Sequence, residues 1–512
     1  MIFVLPFFLG ALSVLSFQPF NYTIINFLIL PALFLNLSHV RKKSKNIYRK
    51  KPFIRNIFFI GYSFGVGFFL SGNYWITYSL TFDESFKYLI PISLIGIPLF
   101  LGLFFGLATL ISGIFIKNNF ISILLFCNSL SLVDFLRSKI LTGFPWNLWA
   151  YSWSWFPEII QVLNPIGLFA FNMLSITFFC IPLVLIFKKN KLNMFIFCIC
   201  LILFFLNYIF GSMIINKNNI SSNNSNYKNN TIYTKVISPN FDIKYNLSLN
   251  DVSLLLKKLI KFSQPEKNKE TIFIWPEGVF TGFYFSELSE FKSFFKSSFS
   301  DKHIIIFGIN TQSKTSKEYY NSLVAVNNNF EIIYQYNKKK LVPFGEFLPL
   351  ENILKKLGLK KITQGYGSFS EGKNVDNFIM GNLNALPLIC YEIIFPQLTQ
   401  GINNKTNMII NISEDGWFGK YVGPRQHFAK AIFRAVESNT FLIRSANQGV
   451  SAFIDNRGNV IKHLDPNERG SIELNVPLVN NNSKNRNDLI FFILLFTYTL
   501  IILTFKKNKN DR

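Results

Sequence analysis

Three side chains in the second half of the chain could do covalent chemistry together. Glu277 follows the apolar run Ile272-Phe273-Ile274-Trp275-Pro276, Lys338 follows a β-rich run at 331–336, and Cys390 closes the apolar run 385–389, with Tyr391-Glu392 next. In α/β folds, functional groups gather at the carboxyl ends of strands. An acid, a cation and a thiol at three such ends could therefore form one site. A free thiol titrates at about 8.5 and is mostly neutral near pH 7, so it needs a base to become a nucleophile. A carboxylate can take that proton, and an ammonium can stabilise both the thiolate and a developing oxyanion. Each residue also has a bland alternative. Lys338 heads a run of three lysines, which is usually a solvated face, and a lone cysteine is either functional or buried and inert. Glu346, at the end of Leu341-Val342-Pro343-Phe344-Gly345-Glu346, could cap a helix beginning near Leu350.

The elements that must hold these residues lie in 232–478. Short β-rich runs at 232–238, 271–275, 303–309, 322–327, 331–336, 385–390 and 408–412 are followed by others at 440–444, 450–455, 460–463 and 471–476. Amphipathic stretches at 251–262, 287–299 and 425–437 lie between them. Strands alternating with helices and then pairing as hairpins predict an α/β layered domain. An Asn- and Ser-rich segment, 213–231, reads as a polar linker in front of it. Of the five cysteines, Cys127, Cys180, Cys198 and Cys200 lie in apolar segments, so Cys390 has no disulfide partner within the polar domain.

The rest of the chain has a different composition. The 512 residues are 50% hydrophobic and 17% aromatic, with 60 Phe, and only 16% are charged; a soluble domain carries roughly 25% charged residues. This excludes a wholly soluble or disordered protein. The four His show no metal-ligand spacing with any Cys, and no metal or cofactor is expected. A helix of about 20 apolar residues crosses a bilayer. On that measure the chain has about eight spans, near 2–17, 21–39, 57–80, 88–116, 120–136, 159–187, 192–212 and 489–505. Domain 1–212 would hold the first seven and 489–505 the last. The first run has no preceding basic residue and no small-residue cleavage site, and reads as a retained helix.

Charge orients these spans. Eight Lys/Arg lie within 41–55, three within 188–191 and four within 506–512. With eight spans all three clusters fall on one side, which the positive-inside rule makes cytoplasmic. The polar domain is then external. More than half of the net charge of +24 lies outside 213–488, so the excess is largely topogenic, and nucleic acid is not an expected partner.

At this point the residues carry a resemblance. Trp275-Pro276-Glu277, then Lys338 with Leu341-Val342-Pro343-Phe344-Gly345-Glu346, then Cys390-Tyr391-Glu392 resemble, in order, the Glu–Lys–Cys signature of the nitrilase-like carbon–nitrogen hydrolases. The chain is similar over nearly its full length to one branch, the bacterial apolipoprotein N-acyltransferase family. Ser16-Phe17-Gln18-Pro19-Phe20, Thr142-Gly143-Phe144-Pro145-Trp146-Asn147, Asp415-Gly416-Trp417-Phe418-Gly419 and Gly423-Pro424-Arg425-Gln426-His427 share in the likeness. The resemblance implies an αββα sandwich outside the inner membrane. It implies Glu277, Lys338 and Cys390 as catalytic residues, supported by Glu346, Tyr391 and Glu392. It also implies a reaction in which a phospholipid acyl chain passes through a Cys390 thioester to the α-amine of a diacylated apolipoprotein. Trp417, Phe418 and Trp146 are candidate lipid contacts, and Trp146 with Trp149, Tyr151, Trp153 and Trp155 reads first as an interfacial aromatic belt. Where the family usually carries a Trp shortly after the domain's first strand, this chain offers Tyr245, and no role is assigned to it. His427 reads as structural.

Two other classes remain. A membrane-tethered amide or nitrile hydrolase would use the same three residues with water as acceptor, but one anchor would suffice and a soluble substrate needs no bilayer. Against a transporter or scaffold with an inactive outer domain, residues 1–212 hold few of the intramembrane charges that transport paths usually need, and the intact Glu–Lys–Cys set argues against inactivity. The orientation is testable: a reporter fused after Ser483 should behave as external and one fused after Lys506 as cytoplasmic, and both on one side would break the topology.

Overall fold

The computed structural model describes residues 2–45, 50–187, 191–222, 230–313, 318–356, 358, 360–363, 367–373, 376–399, 405–479 and 488–510. The chain forms two compact units. One comprises Met1–Thr77, Tyr88–Ile215 and Arg486–Arg512, and the other Tyr78–Lys87 and Asn216–Asn485.

The first unit is helical. Among the described residues, six helical stretches, lying wholly or mostly in this unit, are long and apolar enough to cross a membrane: Thr23–Ser44, Phe53–Thr81, Glu84–Gly113, Phe120–Lys139, Leu168–Ile186 and Lys191–Lys217. Val4–Ser16 and Leu489–Thr504 are apolar but shorter. Lipid gives helices no hydrophobic reason to associate, so close contact depends on small residues. Gly10 and Gly67 show this reciprocally. A Cβ on Gly10 would lie 2.0 Å from the Phe64 carbonyl oxygen, and one on Gly67 would lie 2.0 Å from that of Phe7. Helices Val4–Ser13 and Lys50–Asn73 thus meet backbone to backbone.

Two expectations for this unit are corrected. The predicted span 159–187 is broken at its start: two single-turn helices, Pro157–Ile160 and Leu163–Ile166, end at Gly167 with φ +80°, and the long helical stretch begins at Leu168. Pro165 cannot donate to a continuous ladder, and Gly167 adopts a left-handed turn open to few other residues. The aromatic belt also folds inward. Trp146, Trp149, Tyr151 and Trp153 are buried, and of the five only Trp155 is exposed. The Trp146 ring packs 4.7 Å from Trp75 and stacks on Phe144, so it is core rather than a lipid contact. The segment is anchored by a buried ion pair: Arg137 contacts Asp134 at 3.0 Å and donates to the Phe144 carbonyl, and Asn172 donates to Asp134 at 3.1 Å.

The second unit is a two-sheet sandwich. Its strands are β1 (Thr231–Ser238), β2 (Thr271–Ile274), β3 (His303–Gln312), β4 (Tyr319–Val326), β5 (Ile332–Asn337), β6 (Phe378–Met380), β7 (Leu383–Ile389), β8 (Met408–Glu414), β9 (Phe441–Asn447), β10 (Ser451–Ile454), β11 (Val460–Leu464) and β12 (Gly470–Pro477). They form two six-stranded sheets, ordered β12-β1-β2-β3-β4-β5 and β11-β10-β9-β8-β7-β6. Strands β1, β2 and β3 run parallel at the centre of one sheet, and β7, β8 and β9 at the centre of the other.

Side-chain alternation builds the layers. Ile272, Ile274 and Ile306 of the first sheet join Ile389, Ile410, Ile412 and Ile443 of the second in one inner core. Phe273, Trp275, Ile305 and Phe307 point the other way and pack under helix Leu249–Ser263 and the segment from Phe291 to Phe299. Helix Val422–Ser438 packs on β9. The result is the αββα layering implied above. Replacing Ile410 with Ala should cost about 2–5 kcal/mol and lower the melting temperature of the detergent-solubilised protein; an unchanged melt would mean that the two sheets do not share this core.

Candidate active site

Glu277, Lys338 and Cys390 all leave the carboxyl ends of strands, after β2, β5 and β7 respectively. All three are buried, with Lys338 1% exposed. The Lys338 amine lies 2.8 Å from Glu346 Oε1 and 3.3 Å from Glu277 Oε1. Burial works against its charge, but Glu277 and Glu346 outweigh that and hold its pKa above the ordinary lysine value. Its two carboxylate partners thus favour the charged ammonium despite burial.

The two carboxylates are themselves fixed. Glu277 Oε2 accepts the Glu414 backbone N–H at 3.0 Å, and Glu346 Oε2 accepts that of Val342 at 2.8 Å. Asn321, on β4, joins them: its Nδ2 donates to Glu277 Oε1 and to Glu346 Oε1, each at 2.7 Å. The Asn321 carbonyl also accepts the Lys338 backbone N–H at 2.8 Å. Sequence reasoning missed Asn321. Its one signal was a polar amide inside an otherwise strand-forming run, Tyr319-Tyr320-Asn321-Ser322-Leu323-Val324.

Glu346 does not cap the helix that follows. That helix, Glu351–Leu354, has Leu350 at its N-cap and no side-chain cap. Glu392 is fully buried and ties two loops together. Its Oε2 accepts Ile389 N–H at 2.8 Å, while its Oε1 accepts Lys339 N–H at 2.7 Å, Lys340 N–H at 3.1 Å and the Tyr336 hydroxyl at 2.9 Å. Burial still pushes its pKa upward against these bonds.

Cys390 sits on a sharp strand-to-helix turn with φ +48°, a left-handed conformation costly for a residue with a side chain. A 3-10 helix, Cys390–Ile394, starts there. Burial pushes the thiol pKa well up, and Glu277 adds to this; Lys338 pulls it down, Asp415 raises it, and Ser413 lowers it. The balance of these influences favours the protonated thiol. Tyr391, next in the chain, packs edge-on against Phe395.

Trp417 and Phe418 part company. Phe418 turns inward, with its ring 5.2 Å from that of His427. Trp417 lies 5.2 Å from Phe82 and 6.4 Å from Tyr245. Phe82 belongs to the short segment Tyr78–Lys87, which clusters with this unit although it takes in the facing ends of two apolar helical stretches. The Tyr245 hydroxyl donates to the Ile362 carbonyl at 3.2 Å, and burial together with Asp83 lifts its pKa to about 12.

The sandwich with a buried acid, amine and thiol at its strand ends defines a nitrilase-like carbon–nitrogen hydrolase domain, and the carbon–nitrogen hydrolase pattern matches residues 244–480. The apolipoprotein N-acyltransferase N-terminal domain pattern matches residues 9–181. The apolipoprotein N-acyltransferase of Rickettsia typhi is 32% identical over 98% of both chains, and that of Rhizobium etli is 31% identical over 91% of this chain and 88% of its own. Among solved structures, yeast Nit3 of the nitrilase superfamily aligns with 48% of this chain and 90% of its own at 14% identity and a TM-score of 0.37. The chain belongs to the apolipoprotein N-acyltransferase family and is an acyltransferase.

Asn321 offers a direct test of the carboxylate bridge. Asn321→Leu removes two hydrogen bonds to charged groups, worth about 1.5–3 kcal/mol each, and should cut acyl transfer at least about tenfold. Asn321→Asp should do worse, because it sets a third carboxylate against two that share one lysine. An Asp variant as active as wild type would contradict the bridge.

Proposed function

We propose that Cys390 is acylated by a phospholipid and passes the acyl group to the N-terminal α-amine of an S-diacylglyceryl-cysteine lipoprotein. In the first step Glu277 takes the thiol proton as sulfur attacks the ester carbonyl carbon. The carbon–sulfur bond forms, and the oxyanion is stabilised by the Lys338 ammonium. The carbon–oxygen bond then breaks, Glu277 returns the proton to the leaving glyceryl oxygen, and a lysophospholipid departs. In the second step the incoming α-amine attacks the thioester. Glu277 accepts the amine proton, the carbon–sulfur bond breaks, and Cys390 recovers a proton.

The buried Lys338 between Glu277 and Glu346 is the observation that carries this reading. It supplies a fixed positive charge where an oxyanion develops, without solvent to dilute it. A thiol that is protonated at rest suits activation by a neighbouring base during attack. Glu346 and Glu392 would hold Lys338 and the cysteine turn, and Tyr391 would contribute through the turn itself. The Trp417–Phe82–Tyr245 cluster is apolar and ring-rich, as an acyl-chain contact requires. The apolar helices point to a substrate held in a bilayer. With Val4–Ser16 and Leu489–Thr504 counted as spans, the chain crosses the inner membrane eight times and the catalytic unit is external, as the three basic clusters require.

The reading is tested by incubating purified protein with phospholipid and a diacylated lipopeptide and following the peptide mass, alongside ammonia release from simple amides. The peptide should gain one acyl chain on its amine. Glu277→Gln and Lys338→Met should each lose at least about 100-fold, while Lys340→Met should stay close to wild type. Ammonia release without acyl transfer would favour a tethered hydrolase.

A further inference from the structure

Behind Cys390 lies a fully buried polar network that the reaction above does not use. Asp415, His427 and Arg444 are each 0% exposed. Arg444 Nη2 donates to Asp415 Oδ2 at 2.7 Å and Oδ1 at 3.0 Å, and Ser413 Oγ donates to Asp415 Oδ1 at 2.6 Å. Arg444 Nη1 also donates to Asn411 Oδ1, whose Nδ2 donates to the Leu388 carbonyl at 2.9 Å. His427 stands between this network and the cysteine. Its Nδ1 is 2.9 Å from Asp415 Oδ1 and 3.0 Å from Arg444 Nη2, and its Nε2 is 3.2 Å from the backbone carbonyl oxygen of Cys390.

The donor directions follow from chemistry. A carbonyl only accepts, so Nε2 carries a proton and donates to Cys390 O. Burial lowers the His427 pKa to about 4 despite Asp415, with Arg444 and Lys430 also pulling downward. Asp415 Oδ1, 2.9 Å from Nδ1, favours a proton on that nitrogen while burial and Arg444 oppose it, and Nε2 keeps its proton in either case. The Phe418 ring, at 88° to the imidazole, closes one side.

We infer that His427 is a positioning residue for the acyl-transfer reaction: its Nε2–H pins the Cys390 carbonyl and thereby sets the direction of the Tyr391 backbone N–H toward the acyl oxygen. A peptide unit is planar and trans, so its N–H points opposite to its C=O, and fixing one aims the other. At a strand-to-helix nucleophile turn, the N–H of the following residue is the one placed to stabilise the oxyanion. Cys390 has such a turn, and its left-handed φ must be held by its surroundings. The Asp415–Arg444 pair holds the imidazole, the imidazole holds the carbonyl, and Lys338 approaches the oxyanion independently through β5.

This inference rests on the reading of Cys390 as the acylated nucleophile, and the test separates the two. His427→Gln can place an amide N–H near the Nε2 position, whereas His427→Asn places one near Nδ1 and leaves the Cys390 carbonyl without its donor. Each full-length variant is given a fluorescent phospholipid without acceptor, and the acylation rate of Cys390 and its dependence on donor concentration are measured. In parallel, Cys390 is alkylated with iodoacetamide, a reaction that forms no oxyanion. For His427→Asn the maximal acylation rate should fall by about tenfold or more, with the donor concentration at half-maximal rate and the alkylation rate within about twofold of wild type; His427→Gln should recover most of the acylation rate. Equal rates for the two variants, or acylation and alkylation falling together, would overturn the positioning role. A wild-type protein that takes no acyl group on Cys390 would instead remove the nucleophile reading, and the positioning role with it.

Discussion

The buried ammonium of Lys338 sets the terms for the rest of the site. Taking a charge out of water costs several kcal/mol, and only close opposite charge with good hydrogen bonds offsets it. Glu346 and Glu277 provide that charge from two different loops, and Asn321 keeps the two carboxylates from repelling each other. Removing Lys338 would leave two buried carboxylates without their cation, at a cost of about 3–5 kcal/mol. In the proposed reaction the same low-polarity surroundings that make the cation expensive would make it effective toward an oxyanion.

The sandwich exists, from this standpoint, to bring three strand ends to one place. Strands β2 and β5 belong to one sheet and β7 to the other, so the site forms only when the two sheets pack through their shared isoleucine-rich core. Glu392 then locks the seam, since its single carboxylate accepts backbone N–H groups from both the cysteine turn and the lysine loop. Glu414 does similar work from β8, where its N–H meets Glu277. Stability and chemistry therefore share residues: the contacts that hold the sheets in register also hold the acid, the amine and the thiol.

Much of this was legible in the sequence because apolar periodicity and strand-end residues are local signals. The runs at 271–275 and 385–390 match β2 and β7 to within two residues at each end, and the amphipathic stretch 425–437 lies inside helix Val422–Ser438. Other features were hidden because they are set by tertiary contact. Asn321 reads as a poor strand residue until two carboxylates from distant loops meet it. Strand β6 is only three residues long and exists because β7 offers it an edge. The tryptophans from 146 to 153 look like an interfacial belt by composition, yet the Arg137–Asp134 pair and neighbouring aromatic rings draw them inward. His427 gave no sign of its partners, since Asp415 and Arg444 reach it from other elements.

In the proposed reaction Cys390 forms a covalent acyl intermediate, activated by Glu277 and stabilised by Lys338. The most direct measurement is protein-bound label after incubation of the purified enzyme with acyl-labelled phospholipid and no acceptor. Label should appear on wild type, be released by neutral hydroxylamine as a thioester is, and pass to a lipopeptide amine added later. Cys390→Ala should carry none, and Cys390→Ser should stay inactive because an alkoxide is far harder to generate than a thiolate. Label that persists in Cys390→Ala, or a wild-type protein that transfers acyl chains without ever holding one, would contradict the account.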